Sequence, residues 1–396
     1  MMSAIPMAVS RRTLLKGGLA AVGLAAVAPA TRAGALVFGE EDLNTWVLGR
    51  MRAAHLPGLG AAVVRRGKVV WSHGWGFADI GRKALVGQDT VFMLASVSKT
   101  VTCTGVMQAV EQGHFALDDD INSILSFEVK HPEFPSAKIT PRMLLAHTSG
   151  LRDNWGVLVP DYVHGDSPLS LGFYMEDYFA KDGSRYDKQK NFQDWKPGAK
   201  YTYCNMAVSL AGYLVEAATG IGFAKWCGDH IFHPLGMDQT SWRLAGLDTS
   251  KIATPYHYEK PRDRYRPIKQ YGYPDYPDGE LRASPSQLAR FLSAIANGGA
   301  TADGVRILEP RTIKEIFTDQ KVASWRQGLI WYGSGNAITG RLWGHNGGDK
   351  GVATYEFFSP SSGDGVVLLA NGSWRNAAAG HAYRQIRDRL LANPPA

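Results

Sequence analysis

Ser96 and Lys99, in Ser96-Val97-Ser98-Lys99, follow directly on a β-type stretch (Thr90, Val91, Phe92) and open an expected helix. Three residues make nearly one helical turn, so both side chains project from one face. Ser96 then sits at the N-terminal end, where free backbone N–H groups favour developing negative charge. This arrangement suits a nucleophilic hydroxyl, which is weak at neutral pH and needs a base within hydrogen-bond reach. A lysine can be that base only where its surroundings make it neutral, so the remainder of the fold has to enclose this turn. Taken alone, the pattern also describes a capped helix with a surface lysine.

Two later motifs change that reading. Pro197-Gly198-Ala199-Lys200-Tyr201-Thr202-Tyr203-Cys204-Asn205 ends in Tyr203-x-Asn205, and Trp343-Gly344-His345-Asn346-Gly347-Gly348 contains His345-x-Gly347. In order and separation the chain resembles the serine β-lactamase and penicillin-binding superfamily, in particular its class C β-lactamase, esterase and D-peptidase branch. Leu144 to Leu151, Pro234 to Met237 and Tyr276 to Leu281 resemble further segments of that family, so the likeness covers almost all of the chain after its leader. The resemblance implies catalysis by Ser96, Lys99 and Tyr203, with the Ser96 proton passing to Lys99 directly or through Tyr203. Whichever group is the base needs a lowered pKa. The oxyanion donors implied are the backbone N–H groups of Ser96 and Gly348, where glycine lets the substrate approach closely, and Gly347 is a further candidate of the same strand. Asn205 is expected to hold Lys99 or a substrate carbonyl, or else to close the loop before the next helix. His147 reads as structural, ending a helix beneath the site. The chain has no Gly-x-Ser-x-Gly, which argues against the elbow of an α/β-hydrolase.

Many β-lactamases carry Lys-Thr-Gly where this chain has His345, Asn346 and Gly347. A hydrogen bond to a charged partner contributes about 1.5–3 kcal/mol, against about 0.5–1.5 for a neutral one, so a neutral His345 weakens capture of a substrate carboxylate. Esters, or amides without a free carboxylate on the leaving side, are therefore favoured. β-Lactamase or D-Ala-D-Ala carboxypeptidase action is the alternative, and a non-catalytic penicillin-binding or sensing protein is the reading from another class. Asp153, Asn154 and Trp155 are candidates for touching substrate, with a turn after Gly150 as the plainer reading. Tyr162, Tyr174, Tyr178, Trp195, Tyr271, Tyr273 and Tyr276 supply rings for walling a cleft or for packing loops.

The resemblance implies a small-molecule or short-peptide substrate. The formal net charge is +7, but Arg11, Arg12, Lys16 and Arg32 fall in an N-terminal stretch without acids, so +7 less these four leaves +3. That excess is too small to suggest nucleic acid. Residues 1–33 resemble a twin-arginine signal: Ser10-Arg11-Arg12-Thr13-Leu14-Leu15-Lys16 precedes a short apolar run from Leu19 to Ala28, too brief to span a bilayer. Small-residue pairs at Ala28 and Ala30, Thr31 and Ala33, or Ala33 and Ala35 are possible cleavage points. The expectation is a periplasmic or secreted protein without stable membrane insertion once the signal is removed. Cys103, Cys204 and Cys227 leave at least one thiol unpaired, and Cys204 reads as a small buried residue. His230 and His233 have helical ligand spacing without an evident third ligand, and neither metal nor cofactor is implied.

The organisation is discontinuous. Glu41 to Ala54 reads as an amphipathic helix, and Gly60 to Val64 with Lys68 to Ser72, joined by Arg66 and Gly67, reads as a hairpin. Gly351 to Phe358 and Gly365 to Leu369 form a second hairpin before a helix from Ala377 to Leu391. The middle is mainly helical, with Pro141 opening Arg142 to Ala146 and Gly220 ending Ala207 to Ala218. The expected fold is α/β of the α+β kind: an antiparallel sheet flanked by helices, with an inserted helical domain, as in β-lactamases and transpeptidases. Residues 34–98 and 290–396 form the sheet-and-helix domain and 99–289 the insert.

Overall fold

A computed structural model describes residues 42–373 and 377–395; the expected signal, 1–33, lies outside them. Both ends of the described chain enter one seven-stranded sheet. The strands are β1 (Gly58–Arg65), β2 (Lys68–Asp79), β3 (Ala84–Leu85), β4 (Tyr332–Asn336), β5 (Gly340–Asp349), β6 (Val352–Phe358) and β7 (Gly365–Ala370). Their order is β4-β5-β6-β7-β1-β2-β3, every neighbouring pair antiparallel. The pairing of β1 with β7, from Leu59 opposite Ala370 to Val64 opposite Gly365, joins the two ends. The turn between β1 and β2 uses Arg66 and Gly67, both at positive φ (47° and 69°), matching the twist of a two-residue hairpin. The expected antiparallel sheet is therefore present, and it gains β4 and β5, of which the sequence offered only the motif around His345.

Strand alternation divides the core in two. Leu59, Ala61 and Val63 of β1 face α1 (Leu43–Ala54) and the C-terminal helix (Ala377–Ala392), meeting Trp46, Met51, Tyr383 and Ile386. Ala62 and Val64 face the opposite layer, with Leu288 and Leu292 from the helix Pro285–Ala296. The boundary expected at 289/290 falls inside that helix, which packs on the sheet along its length. Gly60 has no side chain because a Cβ there would lie 2.5 Å from Pro285 Cγ.

That second layer continues into the helical body, whose axis is α2 (Ser98–Glu111), buried from Ser98 to Ala109. Helix α3 (Asn205–Thr219) packs on α2, and Gly220 ends it at φ 72°, the left-handed conformation glycine adopts without strain. The middle is less helical than expected. Short strand pairs join Phe92–Met93 to Arg282–Ala283, Val163–His164 to Tyr271–Gly272, and Tyr256–Glu259 to Arg264–Pro267. The three cysteines are buried free thiols. Among the described residues no single helix is long and apolar enough to cross a membrane, and no group of three metal-ligating side chains occurs.

Candidate active site

The strand Phe92–Met93 delivers the chain into a single 3₁₀ turn, Ala95–Val97, that runs directly into α2. Ala95 takes φ 47°, a costly conformation for a residue with a side chain, and this sharp reversal presents half-buried Ser96 at the helix head. One turn on, Lys99 has no exposed surface, and its Nζ lies 3.1 Å from Ser96 Oγ. The predicted one-face geometry is therefore realised, and the surface-lysine alternative is excluded by burial.

The loop before α3 brings half-buried Tyr203 over the same point, with Lys99 Nζ 5.1 Å from its ring centroid. From the sheet, β5 closes the third side. A Cβ on Gly347 would fall 2.3 Å from Thr354 Oγ1, 2.5 Å from Leu94 O and 2.9 Å from Ser96 N, so only glycine lets β5 press this close to the Ser96 turn. Gly348, the next residue, is exposed. Backbone from both the Ser96 turn and the 347–348 strand thus flanks the hydroxyl, the disposition an oxyanion pocket requires.

The electrostatics differ from expectation. Burial favours a neutral Lys99 amine, yet Tyr203, Asp278 and Asp153 together raise its pKa above the ordinary lysine value. Asp278 is the residue the sequence reading missed. It contacts Lys99 through its backbone carbonyl, 2.5 Å from Nζ, and its carboxylate Oδ2, 3.6 Å away. Tyr203 is also raised, by burial, although the Lys99 charge opposes this. At rest neither candidate base has the lowered pKa expected of it. His345 is 3% exposed and pushed down to about 3 by burial and then by the Lys99 charge. Its Nδ1 lies 2.7 Å from the Asn346 carbonyl, so Nδ1 carries the proton and the ring is neutral.

Several side chains expected to meet substrate are occupied elsewhere. Asp153 is a helix cap: its carboxylate accepts from the backbone N–H groups of Asn205 (2.8 Å) and Met206 (3.0 Å) and from Asn205 Nδ2 (2.9 Å), which satisfies free donors at the head of α3. Asn205 therefore closes the loop before α3 with its amide nitrogen on Asp153, and Lys99 is held by Asp278 in the place expected for Asn205. Asn154 is buried with its Nδ2 on Asn191 Oδ1. Trp155, 40% exposed, remains at the surface. Asn346 Oδ1 accepts from the Tyr332 hydroxyl, which ties the side chain to β4. His147, at φ 57° after the helix Pro141–Leu145, accepts from Cys204 N at 3.3 Å and packs its ring 4.5 Å from that of Tyr203, a supporting role as read. Cys204 is buried and caps α3. His230 stacks on Trp226 and bonds its backbone carbonyl. Of the tyrosines, Tyr162, Tyr271 and Tyr273 form one aromatic group packed with Ala95 beside the nucleophile, whereas Tyr174 and Tyr178 belong to the helical core.

Residues 43–391 match the family model described as Beta-lactamase. The chain is 28% identical over 342 residues to a D-aminopeptidase of Brucella canis, covering 86% of this chain and 60% of that protein. It is 26% identical to penicillin-binding protein 4 of Amycolatopsis lactamdurans, covering 85% of this chain and 86% of the relative. The chain thus spans somewhat under two thirds of the D-aminopeptidase it matches. Among solved structures, D-amino acid amidase from Ochrobactrum anthropi SV3 superposes with a TM-score of 0.71 at 21% identity, covering 89% of this chain and 98% of the amidase. At that identity the likeness speaks for the fold.

Proposed function

The chain belongs to the β-lactamase family, and on that premise we propose that it is a serine hydrolase that forms an acyl-enzyme on Ser96 and cleaves an ester or amide bond. The observation that carries this reading is the 3.1 Å approach of fully buried Lys99 Nζ to Ser96 Oγ, with Tyr203 on one side and the Gly347–Gly348 strand on the other. Ser96 Oγ attacks the acyl carbon while its proton passes to Lys99 or Tyr203, and the proton then goes to the leaving group. The backbone N–H groups of Ser96 and Gly348 stabilise the oxyanion. Water releases the acyl group in a second step of the same kind.

The substrate class follows from the third motif. His345, neutral and turned onto the Asn346 carbonyl, brings no charge for a substrate carboxylate, which favours carboxylesters or amides of the D-amino-acid amidase and aminopeptidase type. The D-aminopeptidase relative supports that choice. Residues 1–33 are proposed as a twin-arginine signal that places the enzyme in the periplasm or outside the cell. The functional test is a hydrolysis panel of p-nitrophenyl butyrate, D-alanine amide, D-alanyl-D-alanine and a penicillin. Ester or amide turnover that disappears in Ser96→Ala and Lys99→Ala is the expected outcome; turnover that survives Ser96→Ala refutes the assignment.

A further inference from the structure

Asp278 has features that the hydrolase reading leaves unused. It ends a short turn, Tyr276–Asp278, that is fastened between the two helices carrying the site: Thr102 of α2 donates to Pro277 O at 2.5 Å, Ser209 of α3 donates to Asp275 O at 2.8 Å, and Pro277 lies where a side chain at Gly212 would stand. The carboxylate therefore has little room to move. It is 8% exposed, its Oδ2 is 3.6 Å from Lys99 Nζ, and its Oδ1 has no hydrogen-bond partner. A carboxylate left this incompletely bonded is costly unless it interacts with a neighbouring charge, and the neighbouring cation is Lys99.

We infer that the Asp278 side chain is a positioning residue that acts through Lys99, fixing the ammonium beneath Ser96 Oγ and setting the pH at which the serine can be activated. The inference rests on the serine-hydrolase reading of the site. While Lys99 is an ammonium it donates to Ser96 and cannot receive the Ser96 proton; acylation needs a site that has released one. Asp278 opposes that release, since an anion beside a lysine favours its charged form. It also raises Tyr203, so the direction is the same whichever of the two is the immediate acceptor. The groups facing Asp278 are Lys99 from α2, Asp153 from the loop before α3, Asp349 from the end of β5 and Asp275 from its own turn, with Tyr162, Tyr203 and Tyr273 around them. Burial, with the carboxylates Asp153 and Asp349 adding to it, pushes the Asp278 carboxyl up against the pull of Lys99.

The test is the pH dependence of the p-nitrophenol burst with p-nitrophenyl butyrate, which reads acylation, in the wild type, Asp278→Asn, Asp278→Ala and Asp278→Glu, each checked by its melting curve. The rising limb is expected to move to lower pH by about one unit or more in both neutral variants, and Asp278→Glu is expected to restore the wild-type limb. A neutral variant that folds and keeps the wild-type limb, whatever its rate, overturns the inference, and either of the two suffices. A wild type without any burst, indistinguishable from Ser96→Ala, counts against the hydrolase reading itself and is a separate result.

Discussion

At the scale of single residues, the site is defined by a lysine with no exposed surface that nevertheless keeps its charge. Lys99 manages this because a tyrosine ring, a backbone carbonyl and a carboxylate converge on one ammonium. Motif spacing was enough to bring Ser96, Lys99, Tyr203 and His345 to one point, since each motif fixes a side chain relative to a local element. Asp278 lies 179 residues from Lys99, and only the packing of its turn between α2 and α3 aims the carboxylate; no local pattern encodes that. Asp153 was misplaced for a similar reason, because a carboxylate near a cleft and one that caps a helix look alike in sequence. Asp153→Ala is expected to lower stability by about 1–2 kcal/mol, as loss of a helix cap does, and to change KM for p-nitrophenyl butyrate by less than about twofold, the scale of an untouched contact. A large rise in KM with an unchanged melting temperature would return Asp153 to the substrate.

At the scale of elements, the contact between β5 and the head of α2 sets the geometry of the nucleophile. Gly347→Ala puts a methyl group against Leu94 O and Ser96 N, and an acyl-enzyme yield near wild type in that variant would show that the approach is not required. The expected result is a loss of about a hundredfold or more in kcat, the size of a misplaced oxyanion donor. Beneath the same helix, Glu356 of β6 accepts from the Thr100 hydroxyl at 2.9 Å and is pushed up to about 8 by burial. The unfolded chain releases this proton near the ordinary value of 4.5, whereas the folded protein keeps it to about 8. Unfolding is therefore increasingly favoured as pH rises across that window, by on the order of 1.4 kcal/mol per pH unit for this group. Glu356→Gln should melt at a higher temperature than the wild type at pH 8, with the difference shrinking towards pH 5. Parallel melting curves for the two proteins would rule this out. The hairpins were legible because Arg66-Gly67 and Pro360 to Gly363 are strong turn signals. The hairpin Tyr256–Pro267 was not, since its turn, Lys260 to Asp263, relies on an unusual positive φ of 46° at Asp263.

For the molecule from residue 42 onward, the two ends of the described chain are one structural unit through the pairing of β1 with β7 and the packing of α1 against the C-terminal helix. That part of the fold was readable from strand and helix periodicity at each end, and the order of motifs tied it to the site. Tyr383 couples the C-terminal helix to the sheet, with no exposed surface, its ring stacked 5.3 Å from Tyr355 and its hydroxyl on the Ala353 carbonyl at 2.9 Å. Tyr383→Ala is expected to cost about 3–5 kcal/mol, the range for removing a buried aromatic ring; a denaturation midpoint close to wild type would mean that the C-terminal helix is dispensable. All of these parts converge on one covalent event. Intact-protein mass spectrometry during p-nitrophenyl butyrate turnover, followed by peptide mapping, tests it most directly. The wild type is expected to gain the mass of one butyryl group on the peptide containing Ser96, and Ser96→Ala to gain none. A butyryl group mapped to another residue, or turnover without any adduct under conditions that trap a slowed wild type, would contradict it.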